Sequence, residues 1–413
     1  MKRVVVTGFS AFTPIGNDWN TVRANLEKGQ SGIVRMDDWD RYPDLRTRLA
    51  GPVKDFVPPE HYTRKVTRSM GRVAVMATYA TELALRDAGL LEDPEIRSGS
   101  MGIAYGSSSG TPAAIGDFGN MLLHNKMDGI NANTYIKMMS HTTPVNIGVH
   151  FGLKGRIITT SSACTSGSQG IGYAYEAIKY GLQTLMVAGG AEELDATQAA
   201  VFDTLFATST RNDRPTTSPR PFDRDRDGLV IGEGAATLIL EELEHAQARG
   251  ARIYAEIVGF NCNSDGNHIT QPNADTMQAT MQNALRVAGV DRGAIGYINA
   301  HGTATDRGDI AESKATSKVF GNKTPISSLK SYIGHTLGAC GAIEAWASIC
   351  MMNGDWYAPT LNLENVDENC AELDYITNGG RRLEREYVMS NNFAFGGINT
   401  SLIFKRWNQR STT

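Results

Sequence analysis

Residues 84–89 read ALRDAG, and residues 284–289 read ALRVAG. Each copy ends an alanine-rich helical pattern and is followed, after a short loop, by a strand pattern bounded by glycine. Chance similarity of two short alanine-rich helices would explain this pair on its own. The order of the elements that follow each copy is therefore the more informative comparison.

The segments downstream of the two copies follow the same order. In the first, residues 156–178 run from an apolar strand pattern through a polar turn that holds Cys164 into a small-residue helix. In the second, residues 325–347 do the same around His335. Strands that alternate with helices predict layered α/β structure. The agreement favours a duplicated α/β fold with its site between the two copies.

The division between the copies is expected where a charged helix pattern ends at Gly250. We therefore predict an N-terminal half at residues 1–250 and a C-terminal half at residues 251–413. The length agrees with two units, because a single hydrophobic core stops growing near about 250–300 residues. The first half is longer, and we expect its additional residues, 30–65 and 111–150, to cap the site.

The composition is that of an ordinary globular protein: 413 residues with 41% hydrophobic and 20% charged. Forty lysines and arginines against 44 aspartates and glutamates give a formal net charge of −4, which argues against general nucleic-acid binding. The sequence holds no apolar run of membrane-spanning length and no signal-peptide core, so we expect a cytoplasmic protein.

Cys164 is the cysteine whose surroundings suggest chemistry. The five cysteines are odd in number and widely scattered, so neither a disulfide framework nor a zinc site is indicated. A buried, inert thiol is the ordinary interpretation of such a residue. Here the turn is built of small residues and leads into a helix, whose amino end is expected to lower the pKa of the thiol and favour a nucleophilic thiolate.

Two histidines strengthen that interpretation. His301 follows an apolar strand pattern and precedes glycine, and His335 lies in a glycine-flanked turn. Either one alone would more often be a structural residue. Together with Cys164 they predict a site for nucleophilic and acid/base chemistry.

At this point the chain resembles the elongating β-ketoacyl-acyl carrier protein synthases, condensing enzymes of the thiolase superfamily. The resemblance covers nearly the whole chain in ordered motifs: VVVTGFSAFTPIG, TSSACTSGSQG, STRNDRP, SPRPFDRDRDGLVIGEGA, NAHGTATDRGD, SSLKSYIGHTLGACGAIEA and NNFAFGGINTSL. It implies a duplicated thiolase-type fold with five layers, α-β-α-β-α, and a dimer. It also implies decarboxylative Claisen condensation without a metal or a dissociable cofactor.

The resemblance implies a role for each matching residue. Cys164 would carry the acyl chain as a thioester, and His301 and His335 would stabilise the enolate formed when malonyl-carrier loses CO2. The amides of Cys164 and Phe395 would form the oxyanion hole, and the Phe395 loop would open and close the site. Other matching positions are Lys330 with the acidic residues Glu344 and Asp309, and Thr303 and Thr305 for the pantetheine arm.

Alternatives within the superfamily remain open at this stage. Thiolases use a second cysteine where this chain has Phe395, and initiating synthases generally pair cysteine with histidine and asparagine. A chain-length subunit would lack the nucleophile, so Cys164 argues against that class. The chain could pair with itself or with such a cysteine-lacking homologue.

Some positions depart from the family pattern and bear on the substrate. Ala394 replaces a glycine of the gating loop, and Ser109 stands where fatty-acid enzymes often have a bulky aliphatic residue. Phe202 matches another residue of the acyl pocket, and His268 matches a residue near the entry tunnel. These features favour a specialised acyl chain, such as an unsaturated or aryl-primed polyene.

The acyl carrier protein is acidic and needs a basic surface on its partner. Arg64, Lys65 and Arg68 lie together at a predicted helix start and match the family's docking positions, with Arg72 and Lys126 as an extension. A solvated helix face is the alternative that the charge pattern alone leaves open.

Overall fold

The computed structural model describes residues 1–54 and 56–408. The last five residues of the predicted C-terminal half, 409–413, lie outside that part of the chain. None of the helices within the described residues is long and apolar enough to cross a membrane.

The first part of the chain alternates strands with helices. Its strands are β1 (Val4–Phe12), β2 (Val34–Arg35), β3 (Leu49–Gly51), β4 (Met101–Gly106), β5 (Ile157–Thr159), β6 (Leu185–Glu192), β7 (Ile231–Gly232) and β8 (Gly234–Glu242). Its helices are α1 (Trp19–Glu27), α2 (Arg64–Thr67), α3 (Arg72–Asp87), α4 (Pro112–His124), α5 (Ala132–Met138), α6 (Thr142–Phe151), α7 (Ser166–Lys179), α8 (Ala196–Asp203) and α9 (Leu243–Ala248).

The second part repeats this alternation. Its strands are β9 (Ala255–Ser264), β10 (Ile295–Asn299), β11 (Pro325–Ser327), β12 (Trp356–Tyr357), β13 (Asp374–Tyr375), β14 (Arg381–Arg382), β15 (Tyr387–Ala394) and β16 (Ile398–Arg406). Its helices are α10 (Ala274–Ala288), α11 (Asp306–Phe320), α12 (Lys330–Ile333) and α13 (Cys340–Asn353). Short 3-10 turns at Ala163–Thr165 and Leu337–Ala339 lead into α7 and α13.

The strand order shows the duplication directly. One set runs β5-β4-β6-β8-β1, and the other runs β11-β10-β15-β16-β9, with β13 added at its edge. In both sets the first three strands are parallel and the last two are joined by antiparallel pairing. The sets meet where β1 pairs with β9 at Val4–Val6. The predicted duplicated α/β fold is confirmed.

Five layers follow from how the helices cover these strands. Helix α3 packs on β1 and β8, and α10 packs on β9 and β16, so each forms an outer layer. Helices α7 and α13 contact each other and strands of both sets, which makes them the middle layer. A Cβ atom on Gly167 would lie 2.8 Å from the amide nitrogen of Ala342, so the small residues in these two helices permit their close approach.

Candidate active site

Three reactive side chains meet where the two middle helices begin. The Sγ of Cys164 and one ring nitrogen from each of His301 and His335 all lie within 4.8 Å of one another, and all three residues are buried. The Nε2 of His335 is 2.9 Å from Sγ. The two imidazole rings are nearly perpendicular, at 88°, with centroids 5.1 Å apart. The sequence therefore identified residues that the fold does bring together.

Cys164 occupies a sharp turn before α7. Ala163 has a φ of +49°, a backbone conformation that side chains other than glycine rarely adopt. This turn directs the cysteine toward the second half of the molecule. The backbone amides of Phe395 and of Cys164 itself lie near the sulfur and act to lower the pKa of the thiol. These are the two donors that the sequence predicted for an oxyanion hole.

The thiol of Cys164 does not have the lowered pKa expected from its position before a helix. Burial raises the pKa of the thiol to about 11, and the opposing influences of the Lys330 charge and the two backbone amides are smaller. Only 4% of the residue is exposed, so desolvation of a thiolate outweighs the amino end of α7. The expectation of a lowered pKa is therefore wrong.

Both histidines are neutral hydrogen-bond donors in this environment. Burial, reinforced by the charge of Lys330, holds the pKa of His301 and of His335 well below the usual range. The backbone N–H of Leu337 donates to Nδ1 of His335 at 3.3 Å, and the side-chain amide of Asn392 donates to Nδ1 of His301 at 3.5 Å. With Nδ1 accepting, the ring proton of each histidine is assigned to Nε2.

Lys330 supplies a positive charge beneath the site. It forms a buried ion pair with Glu344, whose other oxygen accepts a hydrogen bond from Asn392 at 2.7 Å. Burial is the largest single influence and lowers the pKa of Lys330, but Glu344, Cys340 and Glu312 together outweigh it and the pKa is raised. The lysine is therefore held in its charged form and pairs with Glu344, one of the two acidic residues predicted for it.

Asp309 and Glu312 hold the loop that carries His301. Glu312 accepts hydrogen bonds from the backbone N–H groups of His301 and Gly302, both at 2.7 Å. Asp309 accepts from the N–H of Thr303 at 3.1 Å and lies near Arg226. Asp309 thus faces this loop, whereas the partner of Lys330 is Glu344.

A cavity of about 540 Å³ leads from the surface to Cys164. Thr303 and Thr305 line it, with their hydroxyl oxygens 2.9 Å apart. Phe202 and Phe395 face each other in its wall, with ring centroids 5.0 Å apart. The four positions predicted to contact substrate or gate the site therefore border one space.

Two predicted substrate-binding residues do not border that cavity. His268 is exposed in the loop before α10, where its Nδ1 accepts the N–H of Thr270. Ser109 lies in the turn after β4, and its buried hydroxyl has no hydrogen-bond partner. Nor does any described residue of 30–65 or 111–150 line the cavity. The loop around Thr270 and the segment after α8 border its entrance instead.

The predicted docking residues differ from one another in their surroundings. Arg64, Lys65 and Arg68 are exposed on and beside α2, and no acidic residue in the described part of the chain pairs with them. Lys126 is also exposed. Arg72 is exposed as well, but it forms an ion pair with Glu233 and its guanidinium lies over the ring of Phe56, so its charge is already partly neutralised.

Sequence reasoning missed two residues that contact His301, namely Glu312 and Asn392. Glu312 could have been found, because it lies one helical turn after Asp309 on α11. Asn392 is one of two adjacent asparagines in the buried strand β15, an unusual choice for such a strand. The cysteine sulfur and the histidine ring nitrogens are also of the type that binds soft metal ions. The proposed reaction requires no such ion.

A buried thiol at the start of a central helix, faced by two neutral imidazoles from the second half of a duplicated five-layer fold, is the arrangement of a condensing enzyme of the thiolase superfamily. Two family models match the chain, "Beta-ketoacyl synthase, N-terminal domain" over residues 1–246 and "Beta-ketoacyl synthase, C-terminal domain" over residues 254–364. The chain therefore belongs to the β-ketoacyl synthase family.

Proteins similar to this chain match it over nearly its full length. The 3-oxoacyl-acyl-carrier-protein synthase 1 of Haemophilus influenzae is 39% identical, with 99% of this chain and 100% of the relative covered. The crystal structure of a β-ketoacyl synthase from Burkholderia phymatum STM815 is 61% identical with a TM-score of 0.98, covering 99% of this chain and 100% of that one. The ishigamide ketosynthase/chain length factor is 30% identical with a TM-score of 0.89, and the match covers 98% of this chain and 100% of that one.

Proposed function

We propose that this protein is an elongating β-ketoacyl-acyl carrier protein synthase, an acyltransferase that extends a carrier-bound acyl chain by decarboxylative Claisen condensation with malonyl-carrier. The observation that carries the proposal is the pairing of Cys164 with two histidines that both present Nε2–H. A thiolase would need a second thiol near Phe395, and an initiating synthase would be expected to have asparagine in place of one histidine.

The first half-reaction moves the acyl group to the enzyme. The sulfur of Cys164 attacks the carbonyl carbon of the acyl thioester, and the backbone amides of Cys164 and Phe395 stabilise the oxyanion that forms. The bond to the pantetheine sulfur then breaks. The proton that Cys164 loses ends on that departing sulfur, so the step consumes no net proton.

The second half-reaction makes the carbon–carbon bond. Malonyl-carrier loses CO2, and the electrons of the broken bond form an enolate whose oxygen accepts hydrogen bonds from Nε2–H of His301 and His335. Because both imidazoles are neutral, they stabilise this oxygen without first protonating the malonyl carboxylate. The enolate carbon attacks the acyl thioester, and Cys164 leaves and regains a proton from solvent.

Lys330 and the gate support both half-reactions. The charge of Lys330 favours negative charge nearby and keeps the histidines neutral. Phe395, packed against Phe202, closes the wall of the cavity while the acyl chain is bound. We assign the pantetheine arm to Thr303 and Thr305, which line the path to Cys164.

The substrates arrive on the phosphopantetheine of acyl carrier protein, and the balanced reaction requires no metal or dissociable cofactor. The name of the Haemophilus influenzae relative supports this carrier. We assign its docking to Arg64, Lys65 and Arg68, whose charges have no acidic partner among residues 1–54 and 56–408 and suit an acidic carrier.

We further propose the arrangement in which the enzyme works. Residues 1–250 and 251–413 are its two halves, it acts in the cytoplasm, and it forms a homodimer. A heterodimer with a ketosynthase-like chain-length subunit is the second candidate, favoured by the similarity to the ishigamide ketosynthase/chain length factor.

Intact-mass spectrometry tests the function. Wild type and Cys164→Ala are incubated with acyl-carriers that include saturated, unsaturated and aryl-primed chains, followed by malonyl-carrier. We expect acylation of wild type alone, then a product two carbons longer. Labelling by acyl-CoA in place of every acyl-carrier would contradict the proposal and indicate initiation or thiolysis.

A further inference from the structure

Glu192 is a fully buried carboxylate that the chemistry above does not use. It ends β6, beneath the nucleophile, and its Oε2 accepts the backbone N–H of Ser108 at 2.8 Å and that of Gly338 at 2.9 Å. Its Oε1 accepts the side-chain amide of Gln198 at 3.2 Å. One side chain thus joins the turn after β4, the turn before α13 and helix α8.

Two of these three segments carry residues that line the cavity, Phe202 and His335, and the third is the turn after β4. The turn at Gly338 follows directly after Leu337, whose N–H fixes the ring of His335. Helix α8 carries Phe202, which faces the gating Phe395. The turn at Ser108 carries the orphaned hydroxyl of Ser109. A single carboxylate therefore fixes the spacing between the Ser108 turn, helix α8 with Phe202, and the turn that holds His335.

The space around this carboxylate is tightly packed. A Cβ atom on Gly338 would lie 2.7 Å from the amide nitrogen of Ser108 and 2.8 Å from Oε2 of Glu192, so the two turns are already in contact. All three hydrogen-bond partners donate, which favours the ionised carboxylate, while burial raises the pKa of Glu192 to about 7. Without Glu192 the amides of Ser108 and Gly338 would be left buried and unpaired.

We propose that Glu192 is a positioning residue that sets the acyl-chain preference of Cys164 by holding the Ser108 turn, helix α8 and the Gly338 turn at fixed distances. The inference rests on the proposed function, because chain preference has meaning only for an enzyme that loads acyl chains. It goes beyond that function in naming which residue controls the shape of the site.

The charge of Glu192 gives a second, independent readout. Burial is the main cause of the raised pKa of the Cys164 thiol, and the carboxylate of Glu192 adds to it. The titratable groups that face Glu192 are Cys164 and Glu193. Removing the charge is therefore expected to lower the pH at which Cys164 reacts with iodoacetamide.

The test compares Glu192→Ala, Glu192→Gln and the control Glu193→Gln in the full chain. Glu193 is the next residue, is also buried, and accepts hydrogen bonds from Val73 and Thr111 on the opposite side of the strand. Two quantities are measured for each variant: the loading rate of Cys164 across acyl-carriers of increasing chain length, and the pH dependence of Cys164 alkylation.

We expect Glu192→Ala to lose about tenfold or more in loading and to change the order of preferred chain lengths. Glu192→Gln keeps an oxygen for the two amides, so it should stay within about threefold of wild type in loading, while its alkylation profile moves to lower pH. Glu193→Gln should keep both the chain-length order and the alkylation profile.

An unchanged chain-length order in folded Glu192→Ala would overturn the proposal. If that variant does not fold, Glu192→Asp takes its place, because the shorter side chain withdraws the carboxylate from the two amides, and an unchanged chain-length order in Glu192→Asp overturns the proposal instead. Failure of wild type to load any acyl-carrier would refute the proposed function, and the alkylation profiles would still show whether Glu192 acts on Cys164.

Discussion

The buried pair of Lys330 and Glu344 makes the strongest stability prediction. The lysine side chain is 1% exposed and the glutamate side chain 0%. Replacing Lys330 by methionine removes the charge but keeps most of the volume, and it leaves the Glu344 carboxylate with neutral donors such as the amide of Asn392. Breaking one side of a buried ion pair costs about 3–5 kcal/mol, because the remaining charge is uncompensated.

The size of the chain converts this cost into a melting shift. A chain of 413 residues has an unfolding entropy of about 0.9 kcal/mol/K, so Lys330→Met should lower Tm by about 3–6 °C. In the double variant Lys330→Met/Glu344→Gln no charge is left unpaired, so most of that loss should be recovered. The assay is thermal denaturation followed by circular dichroism at one protein concentration.

The exposed pair of Lys318 and Asp275 provides the matched control. Its atoms are 2.9 Å apart, but the side chains are 54% and 80% exposed, so Lys318→Met should cost less than about 1 kcal/mol. The reasoning is refuted if Lys330→Met melts within about 1 °C of wild type, or if the double variant melts below the single variant.

Three further outcomes are expected. Alkylation of Cys164 should accelerate about tenfold per pH unit up to about pH 10, because burial raises the pKa of the thiol to about 11; a plateau below about pH 9 would contradict that cause. Changing Arg64, Lys65 and Arg68 to glutamate should raise KM for acyl-carrier about tenfold or more without slowing alkylation of Cys164, and an unchanged KM would exclude this patch. Phe395→Ala keeps the backbone amide but opens the wall, so acyl-Cys164 should hydrolyse faster than in wild type; equal half-lives would show that the ring does not exclude water.

The sequence alone predicted those parts of the site that local sequence patterns determine. Cys164, His301 and His335 each lie in a small-residue turn between a strand and a helix, and the repeated order of those elements predicted that the turns would meet. The division into two matching sets of strands followed from the same repeat. These features depend on neighbours within a few residues, which a sequence displays directly.

The remaining features depend on contacts between distant segments. Glu312 and Asn392 contact His301 from α11 and β15, and Glu192 joins two turns to helix α8. Each of these contacts links segments that lie far apart in the sequence or in separate elements. The pKa of Cys164 was predicted in the wrong direction for the same reason. The amino end of a helix is visible in the sequence, whereas the burial that outweighs it is produced by the whole fold.

A single-turnover measurement tests the central claim most directly. Wild type is loaded to completion with one acyl group on Cys164, freed of carrier, and mixed with malonyl-carrier, and both CO2 and the carrier product are quantified. We predict one CO2 and one β-ketoacyl-carrier, longer by two carbons, for each acyl group lost from Cys164. Release of CO2 without the longer product, or transfer of the unextended acyl chain back to carrier, would contradict the assignment as a condensing enzyme.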